Sequence, residues 1–197
     1  MKKGELVKTK IIEKTVELFA SYGYFQTSFQ MIADACELKQ SNVIYHFKDK
    51  HSLFLSVLNY ILQSNYNSVE LAMKPQMDAY DRLLTHMKMN LNWAINCKEQ
   101  AQVILLLYYF ATFETAFEAI YQKVLINGRA RIYELLLAGV REGLFEDDEI
   151  EKRSETLHDL LVSSILPFIS RCEPSTRKMK KETIAKWEEY LRLIQVA

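Results

Sequence analysis

Apolar residues recur at helical intervals from one end of the chain to the other. Ile12, Val16, Phe19 and Ala20 form the inner stripe of a helix predicted over residues 5–22, which Gly23 terminates. Thr27 and Gln30 fit the capping box S/T-x-x-E/Q, so a second helix is predicted over 28–35. Phe29, Ile32 and Ala33 share its buried face. The pattern breaks at Cys36 and Glu37 and resumes with Leu38, Val43 and Phe47, predicting a third helix over 40–47. Asp49 can cap a fourth, over 50–73. Its stripe is Phe54, Val57, Leu58 and Ile61, after which residues 63–68 turn polar.

Pro75 marks a boundary and fits the first turn of a helix over 76–95, with Tyr80, Leu83, Leu84, Met87, Leu91 and the nearby Trp93. Residues 103–117 are apolar on all sides and read as a buried helix. Another long helix reaches Arg141 and ends near Gly143. The acidic run 146–151 suits the N-terminal dipole of the next, which carries Leu157, Leu160, Leu161, Ile165 and Phe168 until Pro167 kinks or ends it. Pro174 and Ser175 open a last helix to about residue 195, with the stripe Ile184, Trp187, Leu191 and Ile194. About nine helices make this an all-α chain, and five Gly with three Pro in 197 residues agree with so few turns.

Helices two and three are short and joined by a tight turn. The third shows Gln40, Ser41, Asn42, Tyr45 and His46 on the faces away from Val43 and Phe47. An apolar face for docking and a polar face for base edges and phosphates are what a helix-turn-helix needs. The block from Ile11 to Leu58 resembles the N-terminal domain of the TetR family of bacterial transcription repressors. The resemblance rests on Phe19, Gly23-Tyr24, Thr27-Ser28, Ile32-Ala33, Tyr45-His46-Phe47, Lys50 and Leu53, in order and without gaps. It covers about a quarter of the chain; the remainder matches in length and helical character only. Glu37 stands where the family usually has a turn Gly, Lys39 where it has a capping Ser, Ser41 where Gly is common and Ile44 where Tyr is frequent. Glu37 at φ > 0 would cost roughly 1 kcal/mol.

The resemblance implies that residues 1–48 bind a double-stranded DNA operator and that 49–197 form a regulatory, ligand-binding and dimerisation domain. Gln40, Ser41 and Asn42 can reach base edges, Asn and Gln pairing with adenine, and Ile44 can pack on a thymine methyl. Tyr45, His46, Lys48 and Lys50 suit phosphates, as do Thr27 and Ser28 at a helix N-terminus.

Composition changes this picture little. Formal net charge is zero over 25 basic and 25 acidic residues, so the chain is no polycation. Residues 1–50 hold eight Lys against six Asp and Glu, a bias of +2. Lys2, Lys3, Lys8 and Lys10 lead the first helix, and Lys48 and Lys50 follow the third. The cysteines, Cys36, Cys97 and Cys172, are odd in number and far apart, which reads as reduced thiols in a cytoplasm and offers no metal-ligand spacing. A redox switch at Cys36 competes with a small core residue, and the core reading is preferred. The N-terminus has no apolar h-region, and the longest apolar run, 103–111, is far short of the ~20 residues of a membrane span. His51, His86 and His158 have no nucleophile at motif spacing, and neither a phosphate loop nor HExxH nor GxSxG is present. No catalytic residue, cofactor or metal is expected.

The aromatic middle reads either as plain core or as the wall of a pocket for a small apolar or aromatic effector. Its candidate lining is His86, Asn90, Trp93, Tyr109, Phe110, Phe113, Glu114 and Phe117. The candidate dimer interface is Leu161, Ile165, Phe168, Ile184, Trp187 and Leu191, since the last stripe is more apolar than a lone terminal helix needs. The reading is a ligand-responsive repressor that binds a palindromic operator as a homodimer. Two alternatives stand: a DNA-binding protein regulated by a protein partner, and a helical ligand carrier or enzyme on the same fold.

Overall fold

The structure is a computed structural model that describes residues 3–170 and 177–196. Pro174, Ser175, Cys172 and Lys2 lie outside the described residues. The described chain folds as α1 (Lys3–Tyr22), α2 (Phe29–Cys36), α3 (Gln40–His46), α4 (Lys50–Glu70), α5 (Ala79–Asn96), α6 (Lys98–Phe110), α7 (Thr115–Arg141), α8 (Ile150–Ile169) and α9 (Arg177–Leu193). Among the described residues the extended structure is one isolated bridge, Phe145 to Gln195.

The boundaries depart from the apolar pattern in instructive places. Ser28, not Thr27, caps α2, its hydroxyl accepting from Met31 N at 3.1 Å. Asp49 and Ser52 make the reciprocal capping box instead, at the start of α4. α5 begins at Ala79 behind the Asp78 cap, so Pro75 sits in the preceding turn. The apolar run 103–117 is not one helix. α6 starts earlier, at Lys98, and breaks after Phe110, where Phe113 N and Glu114 N turn back onto Phe110 O. Pro167 lies inside α8, two residues before its end.

Two cores share these helices. The first joins Ile11, Val16 and Phe19 of α1, Ile32 of α2, Val43 of α3 and Phe54, Val57 and Leu58 of α4. It is completed from outside the N-terminal domain by Val103, Leu107 and Phe110 of α6 and Phe117 of α7. The second joins α5, α7, α8 and α9 through Leu83, Met87, Leu136, Leu157, Leu161, Phe168, Trp187 and Leu191. α4 belongs to the first core at its N-terminal half and leaves it after Ile61.

Candidate nucleic-acid interface and effector cavity

The turn between α2 and α3 is closed by backbone hydrogen bonds. Glu37 N donates to Asp34 O at 3.0 Å and Leu38 N to Ala33 O at 2.9 Å, the paired bonds of a Schellman cap. Glu37 itself is left-handed, φ 57° and ψ 42°, where glycine is favoured. The strain expected from a non-glycine residue at this turn is therefore present. Cys36 fills the space beneath: its thiol is buried, approaches Lys10 O at 3.8 Å and has its pKa raised by burial, which lowers its thiolate fraction.

α3 docks by Val43, with Phe47 behind it, and turns the opposite side outward. Gln40, Ser41, Asn42, Ile44 and Tyr45 are all exposed, Tyr45 by 86%, and Lys48 follows on the surface. His46 is half-buried against the Tyr45 ring at 5.3 Å. Lys39 caps α3 with its backbone alone. Ser28 is exposed at the start of α2. Thr27 is not: it is 1% exposed, and its hydroxyl donates to Gly23 O at 2.8 Å, tying the loop to α1. Its side chain cannot reach a phosphate from there. Lys50 also turns inward, its ammonium donating to Phe25 O at 3.2 Å and lying 4.6 Å from the Tyr24 ring. Burial lowers its pKa. It anchors the α1–α2 connection, a structural task its place after the helix-turn-helix did not reveal.

A cavity of about 610 Å³ lies at the other end of α4, between α4, α5, α6, α7 and α8. Of the candidate pocket residues, His86, Asn90 and Trp93 line it. The other expected wall residues go elsewhere. Phe110 and Phe117 pack into the first core against Phe54, at 5.8 and 5.3 Å between ring centroids. Tyr109 and Phe113 are exposed and meet edge to face at 5.0 Å between centroids, and Glu114 is the exposed N-cap of α7. The aromatic middle is thus mainly a seam joining the helix-turn-helix to α6 and α7. The break after Phe110 makes it so, because it turns the chain before Phe113 can follow Tyr108 inward.

What lines the cavity in their place is Asn59, Leu62, Gln63, Asn65, Tyr66 and Glu70 of α4, Tyr108 of α6, Asn127 and Arg131 of α7, and His158, Leu161 and Ile165 of α8. The clue in the sequence was the polar run 63–68 on a helix otherwise buried. Asn65 Nδ2 donates to Asn90 Oδ1 at 3.1 Å across α4 and α5. Glu70 pairs with Arg131, whose guanidinium lies 5.9 Å from the Tyr66 ring. Burial drives the pKa of His86 down to about 4, with His158 adding to the effect, and burial lowers that of His158 as well. A Cβ on Gly128 would lie 2.5 Å from His158 Nε2, so any other residue here would displace the His158 ring.

Most of the expected dimer residues are occupied within the protomer. Leu161, Phe168, Trp187 and Leu191 are buried in the protomer's own second core, Trp187 completely, with its indole N–H donating to Ser164 Oγ at 3.3 Å. Ile165 and Ile184 are half-buried against the same core. The last stripe is apolar because α9 packs on its own domain.

The geometry defines a helix-turn-helix head on a helical body with a partly open cavity. Residues 11–57 match the family model described as bacterial regulatory proteins, tetR family. The chain is 37% identical over 59 residues to the uncharacterised helix-turn-helix regulator YuxN of Bacillus subtilis, 30% of this chain and 20% of that protein. It is 42% identical over 53 residues to the regulator QacR of Staphylococcus aureus, 27% of this chain and 28% of that protein. The matches thus span less than a third of those relatives. Over the whole chain the fold is that of a transcription regulator from Haloarcula marismortui, with TM-score 0.85, 17% identity and 98% of this chain and 100% of that one covered. A regulator from Saccharomonospora viridis solved with choline gives TM-score 0.84 at 18% identity over 98% and 100% of the chains. Residues 11–57 are thus similar to the N-terminal segment of the tetR family of bacterial regulatory proteins, and the whole chain shares the fold of the solved regulators.

Proposed function

We propose that the protein is a ligand-responsive transcriptional repressor that binds a palindromic operator as a homodimer. Residues 1–48 are the DNA-binding part and 49–197 the regulatory and dimerising part. The observation that carries the reading is the division of α3: Val43 is buried, while Gln40, Asn42, Ile44 and Tyr45 stand free at one exposed face. Such a face fits a major groove, with phosphates left to Ser28, His46 and Lys48.

The cavity supports a small-molecule effector over a protein partner, since a surface recogniser needs no recess of this volume between five helices. A relative of the same fold holds choline, which speaks for a small occupant in general. The lining residues offer carboxamides and aromatic rings, and the histidines His86 and His158 have no Ser, Thr or Cys beside them in the lining, which disfavours the enzyme alternative. Dimerisation falls to the outer faces of α8 and α9, where Leu166 is 44% exposed. No helix among the described residues is long and apolar enough to cross a membrane, and the cytoplasm is the compartment in which such a regulator meets DNA. The test is selection of DNA from a random pool by the purified protein. Recovery of a two-fold symmetric site, lost with Asn42→Ala, is the expected result; recovery of no common sequence overturns the reading.

A further inference from the structure

We propose, building on the reading of the cavity as an effector site, that its ligand is an amphipathic carboxylic acid, whose apolar body fills the cavity and whose carboxylate takes Arg131 from Glu70 at the rim. Arg131 is the one permanent cation among the lining residues and Glu70 the one carboxylate. Both are open to solvent as well as lining the cavity, their side chains 38% and 36% exposed. Tyr66, which lines the cavity with them, is 52% exposed. Other lining residues are closed off: Val69, His86, His158 and Leu161 are all buried. The charged pair therefore stands at the open edge. A ligand with its charge at that edge keeps the charge partly hydrated, which a charge on the buried side would lose.

The pair is built to exchange. Glu70 engages one guanidinium nitrogen, Nη2, through one carboxylate oxygen, Oε1. An arginine offers five N–H donors in a planar fork, and among the described residues no other group accepts from Arg131. A ligand carboxylate can take two of those donors in parallel where Glu70 takes one. An ion pair this exposed contributes little to stability, so giving it up is a small penalty. Arg131 is the partner that stays. Its guanidinium also lies 5.9 Å from the Tyr66 ring centroid, and Asn127, one turn earlier on the same face of α7, lines the cavity with a carboxamide. Glu70 is the partner that leaves: it is the last residue of α4, where the negative end of the helix dipole disfavours a carboxylate. A ligand cation would have to displace a tethered guanidinium from both Glu70 and Tyr66, whereas a ligand anion displaces Glu70 from a single bond. The exchange also supplies the state-dependent affinity an effector needs, since the ligand takes the full fork of Arg131 only when the end of α4 has let go of it.

The test is calorimetric titration of the full chain with four naphthalenes of matched shape: 2-naphthoate, methyl 2-naphthoate, 2-ethylnaphthalene and 2-naphthyltrimethylammonium. The carboxylate is expected to bind at least about 10-fold more tightly than the other three. Arg131→Gln should abolish that preference, and Arg131→Lys, which keeps the charge and loses the fork, should cut it by about 3–10-fold. Glu70→Gln removes the competitor and should tighten the carboxylate by about 2–5-fold while leaving the ester's affinity in place. Glu70→Gln also keeps the test valid should the Arg131 variants fail to fold. Tightest binding of the ammonium or of a neutral probe overturns the proposal. So does a carboxylate preference that Arg131→Gln leaves untouched, or a carboxylate affinity that Glu70→Gln fails to raise. Affinity for the selected DNA is measured in parallel. Carboxylate binding without DNA release keeps the ligand class and overturns the effector reading. DNA release by the ester, the hydrocarbon or the ammonium alone does the reverse. Absence of binding by any probe to its solubility limit overturns both.

Discussion

Arg131 of α7 pairs with Glu70, the last residue of α4, so the end of the helix that leaves the helix-turn-helix head is fastened to the wall of the cavity. α4 runs unbroken for 21 residues, about 30 Å of rigid rod at 1.5 Å per residue. Leu53, Phe54, Val57 and Leu58 sit in the first core, and Asn65, Tyr66 and Glu70 face the cavity. A rod held at both ends transmits a shift at one end to the other if its packing has two discrete arrangements.

Breaking that fastening should change coupling more than stability. The pair is over a third exposed, so its loss should cost at most about 1 kcal/mol of folding free energy. Arg131→Ala or Glu70→Gln should alter the ligand-induced drop in operator affinity by about 0.5–2 kcal/mol, or roughly 2–30-fold. Operator titrations with and without ligand measure this; an unchanged ratio in both variants removes the pair from the coupling path.

Lys48 and Lys50 should behave differently although they stand two residues apart. Lys48→Ala should weaken binding to all DNA sequences and flatten the log–log salt dependence by about 1 unit per contact. Lys50→Ala should leave the salt slope unchanged and loosen the α1–α2 loop, because its ammonium is committed to Phe25 O and Tyr24. Equal slope changes in the two variants would return Lys50 to the phosphates.

Glu37→Gly should stabilise the protein. The left-handed backbone at φ 57° costs a β-carbon-bearing residue about 1–2 kcal/mol, and part of the relief is offset by glycine's larger unfolded-state entropy. A net gain of about 0.5–1 kcal/mol in urea unfolding is expected. Glu37→Ala, which relieves no strain, should stay within about 0.5 kcal/mol of the parent.

Trp187 and Leu166 separate folding from assembly. Trp187→Ala empties a fully buried site and should cost about 3–5 kcal/mol, lowering the melting temperature at every protein concentration. Leu166→Glu changes an exposed residue on the outer face of α8. It should leave the fold intact and shift sedimentation from dimer to monomer. A dimeric Leu166→Glu protein would place the interface elsewhere.

Acid should weaken the fold through the cavity. His86 has a folded pKa of about 4 against 6.5 in the unfolded chain, so between those values the unfolded chain takes up a proton that the native state refuses. Stability is therefore fully present above pH 6.5, falls as pH drops from 6.5 towards 4, and changes no further through this group below that. By linkage the loss from His86 is about 3 kcal/mol, and His158 adds in the same direction. Urea midpoints at pH 7 and pH 4.5 should converge in His86→Gln relative to the parent; an identical pH slope would show that the native state protonates this ring freely.

The helix-turn-helix was legible because its determinants are local. Ile32, Ala33, Val43 and Phe47 declare their faces by spacing, and Gly23 ends α1, whereas the left-handed backbone of Glu37 is a finding of the structure. Tertiary structure still chose between near-equivalents. Thr27 and Ser28 are both good caps, and the burial of Thr27 against α1 left the cap to Ser28.

Beyond residue 50, spacing gave helices and tertiary packing gave their partners. An apolar stripe such as Ile184, Trp187 and Leu191 has the same pattern whether it meets its own domain or a second copy, because burial of apolar area is non-directional. Only the packing of α9 within its own domain put Trp187 inside. In the same way Phe110 and Phe117 could serve a pocket or a seam, and the break after Phe110 assigned them to the seam. The cavity was least legible of all. Its walls come from five helices, and its polar residues, from Asn59 on α4 to His158 on α8, become one site only where those helices leave a gap between them.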